Sequence, residues 1–528
     1  MKERLFKTGK FLGDTAVISV FIIMSLIMLF LFSSSMILTA DMSANDHDLE
    51  VLTFLPDNAV LNIFLMICCF IFGISIYVIS RHFKLTERFS LRHLSYIIFA
   101  VVFLNCVLWI VQALSFPTHD SYLVTSAGVS ASLGDTSPFE KDYFLRFPFQ
   151  LGYVLWTEFF ARIFFLDHEK YVVLQIINGV CLAAAETALL ILTDRLFSNR
   201  NVTFFTFVML ILFSQPVIFT TFLYGNIPGF AFAVWSVLFA VEFIRCTRWR
   251  DIIISSLLMT VSVWLKLNDM IFLVALAIVL FLCFLRKKGI KPLVSLCVMC
   301  IVVLGLKGLP VWQYEQRFDR SFGEGIPMTC WLAMGLNESE NAPGWYNSTH
   351  TVITFNSVKG DHDAANDIAK KTVKERIDVF AKDPAYALSF FCDKINSQWN
   401  ETSFQSIWNN QVRGQMGDRI GVAKYVCENG EKTVDKLMDV NVEFIYLGAL
   451  IAFVVSVIDM IRKKELKTEL VIIPIVIIGG FLYHAFFEAK SQYVINYVTM
   501  MIPYSVYGFY RCLSALKNIK NNALKNNG

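Results

Sequence analysis

The feature that most restricts this chain is its succession of long apolar runs. About twelve can be marked, at residues 15–38, 60–80, 94–114, 170–192, 202–222, 227–244, 251–265, 270–285, 292–310, 443–461, 469–487 and 494–510. Most have the roughly 17–25 residues that a helix needs to cross a hydrocarbon core. Backbone facing lipid must satisfy its own hydrogen bonds, and an open sheet edge cannot, so such runs fold as helices. Composition agrees: 56% of the 528 residues are hydrophobic and 17% charged, against about 25% charged in a soluble domain. The expected fold is therefore an all-α polytopic membrane protein, a bundle of about twelve transmembrane helices.

The loops set an orientation. Lys2, Arg4, Lys7 and Lys10 precede the first run, and basic residues recur after every second one: Arg81 to Arg92, Arg195 and Arg200, Arg245 to Arg250, Arg286 to Lys291, Arg462 to Lys467, and Arg511 to Lys525. The alternate loops are poor in Lys and Arg and hold acids such as Asp41, Asp46, Asp48 and Glu50. By the positive-inside rule both termini are cytoplasmic and Asp120 is on the outer face of a plasma membrane. The first run is too long for the core of a signal peptide and is expected to be retained. The net charge of +3 reports topology and gives no reason to expect nucleic acid.

Two stretches depart from the apolar pattern. Residues 115–168 join the third and fourth runs and are too amphipathic for a simple loop. Short interfacial helices are expected at 122–133 and 149–165, with Tyr153, Trp156, Phe159, Phe160 and Phe164 meeting lipid or the bundle. Residues 311–441 are polar and read as a mainly helical exterior domain, dividing the chain into a membrane module (1–310), that domain, and C-terminal membrane helices (442–528). Most of the 12 cysteines fall in apolar runs, where they serve as small core residues. Cys330, Cys392 and Cys427 fall in the exterior domain, which leaves room for one disulfide.

Charged residues at run ends are the candidates for chemistry, because a charge at the edge of a bilayer is costly to keep without a use. Asp120, preceded by His119, follows the third run at once; Glu140, Asp142 and Arg146 return charge further along the same loop. Lys266, Arg317, Glu488 and Lys490 stand at or near other outer run ends, and Lys490 interrupts a long apolar context where cations are scarce. A fixed cation in a partly dry site would stabilise phosphate charge. Trp345, Tyr346 and Tyr493 add aromatic surface.

Several local patterns carry a resemblance: Thr118-His119-Asp120, Phe147-Pro148-Phe149-Gln150-Leu151-Gly152-Tyr153, Tyr224-Gly225-Asn226, Met334-Gly335-Leu336, Pro343-Gly344-Trp345-Tyr346-Asn347 and Glu488-Ala489-Lys490-Ser491-Gln492-Tyr493. With them, and over nearly its full length, the chain resembles the GT-C superfamily of polytopic glycosyltransferases that use polyprenyl-phosphate sugars. The likeness is to bacterial glycosyltransferase-39-like proteins, related to protein O-mannosyltransferases and the lipid A aminoarabinose transferase. Two features differ: Asp120-Ser121 stands where the O-mannosyltransferases have Asp-Glu, and the exterior domain shows no β-trefoil pattern.

The resemblance implies an inverting transfer from an undecaprenyl-phosphate sugar to an extracytoplasmic glycan or lipid such as a cell-wall polymer. Asp120 would be the general base, with His119, Glu140 and Asp142 near the acceptor. Lys490, Lys266, Arg146 and Arg317 would serve the donor phosphate, and Trp345, Tyr346, Glu488 and Tyr493 a sugar or acceptor surface. A phosphate leaving group makes a second carboxylic acid dispensable, so one base suffices. No cofactor is expected, although carboxylates from Asp120, Glu140 and Asp142 leave a divalent ion open. The rival expectations are a transporter or flippase of lipid-linked saccharide, with charges lining a path, and a non-catalytic component of cell-wall assembly.

Overall fold

A computed structural model describes residues 2–42, 50–286, 289–412, 414–462 and 467–526. Asp46, Asp48, Lys287, Lys288, Lys463 and Lys464, used above for orientation, lie outside these residues. Among the described residues nine helices are long and apolar enough to span a bilayer, and ten if the bent pair Arg200–Leu212 and Gln215–Thr221 forms one span. The protein is thus a polytopic, largely helical membrane protein with fewer candidate spans than the twelve expected. All twelve runs are helical, but 251–265 lies in the 17-residue helix Trp249–Leu265. The run 494–510 lies in Ile495–Asn526, a continuous helix whose apolar character is interrupted by Asn496, Pro503 and several tyrosines.

Helix α1 (Lys2–Ser35) shows how the bundle closes. Its buried residues Val17, Phe21, Met24, Met28 and Leu31 recur at alternating steps of four and three, the spacing that keeps one stripe facing a neighbour. That stripe belongs to the main core, which includes Val442, Ile445, Ala449 and Phe453 of helix Glu431–Ile461. The first run is therefore a member of the bundle. Between α1 and α2 (Ala59–His82) the chain forms an antiparallel hairpin, β1 (Leu38–Asp41) and β2 (Thr53–Pro56), in a fold otherwise helical among the described residues. Almost all of α2 faces outward, as befits a helix in lipid. Near its start the buried Asn62 amide donates to Asp57 (2.9 Å) and to Glu443 (2.6 Å).

Helix α3 (Leu91–Ala113) starts at a capping box in which the Ser90 hydroxyl accepts from the His93 amide and the His93 ring accepts from Ser90 N–H. The two expected interfacial segments are α4 (His119–Leu133) and α5 (Leu151–Phe164). They pack tightly on each other: a Cβ at Gly128 would stand 2.6 Å from Thr157 Cβ. Tyr153 is buried in that contact, while Phe159 and Phe164 remain exposed.

Lys291–Phe318 forms one candidate span of two helices, Lys291–Leu306 and Leu309–Phe318. The polar region begins after it and lasts until helix Glu431–Ile461, so the expected boundaries at 311 and 441 fall inside helices. This exterior region is helical, with Asp361 capping His362–Lys382 and Asp383 capping Pro384–Trp399. Cys330, Cys392 and Cys427 are all thiols and form no disulfide.

Helices Glu431–Ile461 and Ile495–Asn526 cross through glycines. A Cβ at Gly508 would overlap the Gly448 carbonyl, and one at Gly448 would stand 2.6 Å from the Phe509 ring; small residues of this kind let helix backbones touch. Gly73, on the outward-facing α2, has open space around its Cβ position. Gly508→Leu should therefore lower the thermal unfolding temperature of detergent-purified protein, at a cost of about 1–3 kcal/mol for overpacking. Gly73→Ala should leave it equal or slightly higher, since alanine favours helix by about 1 kcal/mol.

Candidate active site

One cavity of about 460 Å³ lies where the exterior region meets the bundle, and seven of the expected site residues line it: His119, Asp120, Lys266, Tyr346, Glu488, Lys490 and Tyr493. Four separate chain segments deliver them: Tyr346 comes from the exterior region, and three others bring the charges.

The first segment carries Asp120. The chain leaves α3 at Leu114, which has a left-handed φ of 49°, and continues extended alongside residues 414–416. Phe116 N–H donates to the Gly414 carbonyl (2.6 Å) and Met416 N–H to the Leu114 carbonyl (2.8 Å). The buried Ser115 is held by Asn410 (2.7 Å) and by the Gln175 amide (2.8 Å). His119 then opens α4 with φ of 50°, a conformation that costs a non-glycine residue about 1–3 kcal/mol. Asp120 follows in the first turn of α4, where the helix dipole favours negative charge.

The second segment carries Lys266, and glycines admit it. A Cβ at Gly152 would overlap the Trp264 carbonyl, and one at Gly225 the Leu265 carbonyl. Ser262 Oγ bridges the Gly229 carbonyl (2.9 Å) and Asp269 (2.7 Å), bracing the turn on its far side. The Lys266 ammonium comes to lie 4.6 Å from the Tyr224 ring centroid and 4.8 Å from that of Tyr493, in cation–π range of both. Burial lowers Lys266 to about 8 despite the opposing pull of Glu488 and Asp269.

The third segment is Glu488-Ala489-Lys490. A Cβ at Gly335 would overlap the Phe486 and Phe487 backbone, and Gly344, at φ of 72°, leaves no room for a side chain beside Lys394. The buried Lys394 ammonium donates to the carbonyls of Gly335 and Phe487 (2.7 Å to the latter), and Ala489 N–H donates to the Gly344 carbonyl (2.9 Å). Lys490 pairs with Glu50 at 2.6 Å. Burial alone would lower the Lys490 ammonium, but Glu50 and Glu488 together hold it above the ordinary lysine value. Burial raises Glu488, partly offset by Lys490 and by the Tyr493 hydroxyl, which donates to it at 3.1 Å.

Around these charges stand Tyr143, Gln150 and Tyr224. The Gln150 amide donates to the Tyr224 hydroxyl. Burial raises the Tyr143 phenol, and the neighbouring Tyr224 and Asp120 raise it further, so it stays a neutral hydroxyl at neutral pH. Phe147, Phe149, Met328 and Trp331 complete an apolar and aromatic side, of which Phe149 and Met328 are exposed.

No family model matches this chain, and a search of curated proteins returns no match.

The remaining expected residues lie elsewhere. Trp345 is fully buried and donates to Ser397 Oγ (2.8 Å) beneath the Ala489 segment; it is a strut, and the exposed aromatic face belongs to its neighbour Tyr346. Arg317 binds Glu158 (2.6 Å) and the Ala131 carbonyl (2.8 Å), tying Leu309–Phe318 to α4 and α5, and does not line the cavity. Arg146 and Asp142 face a different groove, and Glu140 is exposed and lines neither. The carboxylates expected to join Asp120 around a divalent ion are thus separated from it, and among the described residues no three His, Cys, Asp or Glu side chains gather as metal ligands.

Sequence reasoning gave no role to Glu50, Tyr143, Gln150 or Tyr224. Gln150 and Tyr224 were visible inside quoted motifs, and Glu50 as an acid in a loop poor in cations, but nothing local pairs Glu50 with Lys490. The pair is accessible to a swap. Glu50→Lys and Lys490→Glu should each lower the thermal unfolding temperature: the pair is partly buried, so the loss falls below the roughly 3–5 kcal/mol of a fully buried one. The double variant should recover most of that loss.

Proposed function

We propose that this protein transfers a sugar from a polyprenyl-phosphate carrier to an acceptor hydroxyl at the outer face of the plasma membrane. The observation that carries this reading is the convergence of Asp120 with Lys266 and Lys490 on one cavity at the edge of the bundle. A carboxylate and two ammonium groups are what an attack on a phosphate-activated carbon needs: a proton acceptor for the nucleophile and positive charge for the leaving group.

In the proposed step the acceptor oxygen attacks the anomeric carbon as its proton passes to Asp120. The bond from that carbon to the phosphate oxygen breaks, its electron pair leaves with the polyprenyl phosphate, and configuration inverts. Lys266 and Lys490 neutralise the charge gathering on the phosphate. In the resting site Glu50 and Glu488 keep Lys490 charged, and the two tyrosine rings hold Lys266 between them. The apolar side with exposed Phe149 and Met328 suits the first units of a prenyl chain. Tyr346, exposed at the same cavity, offers a face to a sugar ring.

Two measurements test the reading. Transfer from a polyprenyl-phosphate sugar by purified protein should fall by about 10²–10⁴-fold in Asp120→Asn, the usual worth of a general base; wild-type rates in that variant would remove Asp120 from the reaction. Because a lysine binds an anion only while protonated, kcat/KM for the donor should fall as pH rises through about 8, the Lys266 value. Lys266→Arg, charged throughout that range, should abolish this limb of the profile.

A further inference from the structure

We propose that a second, polar groove next to the cavity holds the acceptor, and that its ligand is a hydroxyl-rich oligosaccharide chain. The inference rests on the transfer reading above and adds where, and of what class, the acceptor is. The groove, of about 610 Å³, is lined by Asp142, Arg146, Glu324, Asn356, Lys359 and His362 over a floor that includes Leu145 and Phe355.

The groove and the cavity share one wall, the short helix Tyr143–Arg146 and the residues flanking it. Tyr143 and Phe147 line the cavity, whereas Asp142 and Arg146 line the groove. Their separation onto two sides follows from helical spacing, since residues four apart share a face. The exterior region closes the groove by lying directly on this wall. Ile326 N–H donates to the Arg146 carbonyl (3.0 Å), and Gly325, at φ of 74°, passes where a Cβ would stand 2.5 Å from Pro148 Cδ.

The polar groups alternate donor with acceptor. Arg146 Nε donates to Asn356 Oδ1 (3.2 Å), with Asp142 3.5 Å from the same guanidinium. His362 Nδ1 is 2.9 Å from the Gly325 carbonyl, and its other nitrogen is 3.4 Å from Glu324. Two carboxylates against one guanidinium and one ammonium leave no single-sign field to draw a polyanion. Planar guanidinium, carboxylate and amide groups in turn are suited to neighbouring hydroxyls, each of which both donates and accepts. With its side chains a helical turn is about 10–12 Å across, so a ligand seated in the groove must be longer than one ring to bring a hydroxyl to Asp120.

The test uses the full-length protein in lipid nanodiscs on an array of neutral oligosaccharides that also carries poly(glycerol phosphate). Wild type and Asp120→Asn should bind the same neutral oligosaccharides. Asp142→Asn with Arg146→Met should weaken that binding at least tenfold, and Lys359→Gln, a change at an exposed side chain that folding tolerates, should weaken it measurably. No oligosaccharide bound, equal binding by the groove variants, or preference for poly(glycerol phosphate) would each overturn the proposal. In transfer assays the groove variants should raise acceptor KM about tenfold with donor KM unchanged; a raised donor KM would instead assign the groove to the donor and overturn it. Failure of the transfer reading is distinct: glycan binding lost in the groove variants while Asp120→Asn transfers at the wild-type rate.

Discussion

Two ammonium groups enclosed at the junction of a membrane bundle and an exterior region govern the construction of this site. Removing an ammonium from water costs several kcal/mol unless other charges or dipoles replace the hydration. Here the replacement is explicit and differs between the two. Lys490 has a carboxylate at 2.6 Å from Glu50 and a second in Glu488. Lys266 lies between two tyrosine rings, with Glu488 and Asp269 acting from further off. The outcomes follow: Lys490 stays firmly charged, and Lys266 drops to about 8. One cation is fixed and the other responsive.

Holding those lysines requires backbone to pass where side chains would collide. Gly152 and Gly225 admit the 264–265 carbonyls, Gly335 admits the 486–487 backbone, and Gly344 admits the Lys394 side chain. Beneath the 486–489 stretch, Lys394 donates to the carbonyl ends of Met328–Gly335 and of Ile472–Phe486, satisfying carbonyls that a helix end leaves without a partner. Burial pushes the Lys394 ammonium well below the ordinary lysine range, with Glu488 opposing. The exterior region therefore supplies Tyr346 and Trp331 to the cavity and also fixes the height of the strand-like stretch that bears Glu488 and Lys490.

The short apolar motifs quoted from the sequence turn out to be these crossings. Tyr224-Gly225-Asn226, Met334-Gly335-Leu336 and Pro343-Gly344-Trp345 each place a glycine against a neighbouring carbonyl or lysine at the cavity, and Phe147 to Tyr153 contains both Gln150 and the Gly152 crossing. Their importance was legible; their manner of acting was not. Trp345 looked like stacking surface for a sugar, side by side with Tyr346, yet it is packed under Ala489 while Tyr346 faces out. Arg317 looked like a phosphate ligand because of its place near a span end, yet Glu158 and the end of α4 had prior claim to it.

Sequence alone determined the class of the protein, because the length of an apolar run and the sparsity of charge within it are local properties that lipid reads directly. It also marked Asp120, Lys266 and Lys490, since each breaks an apolar context at a helix end. Only the tertiary structure decided that Lys490 meets Glu50, that Tyr143 and Arg146 on one helical turn serve different openings, and that Glu140 stands apart from Asp120. The physical reason is that such pairings depend on how distant segments cross, and the crossings are set by a few glycines whose partners lie from 40 to about 150 residues away.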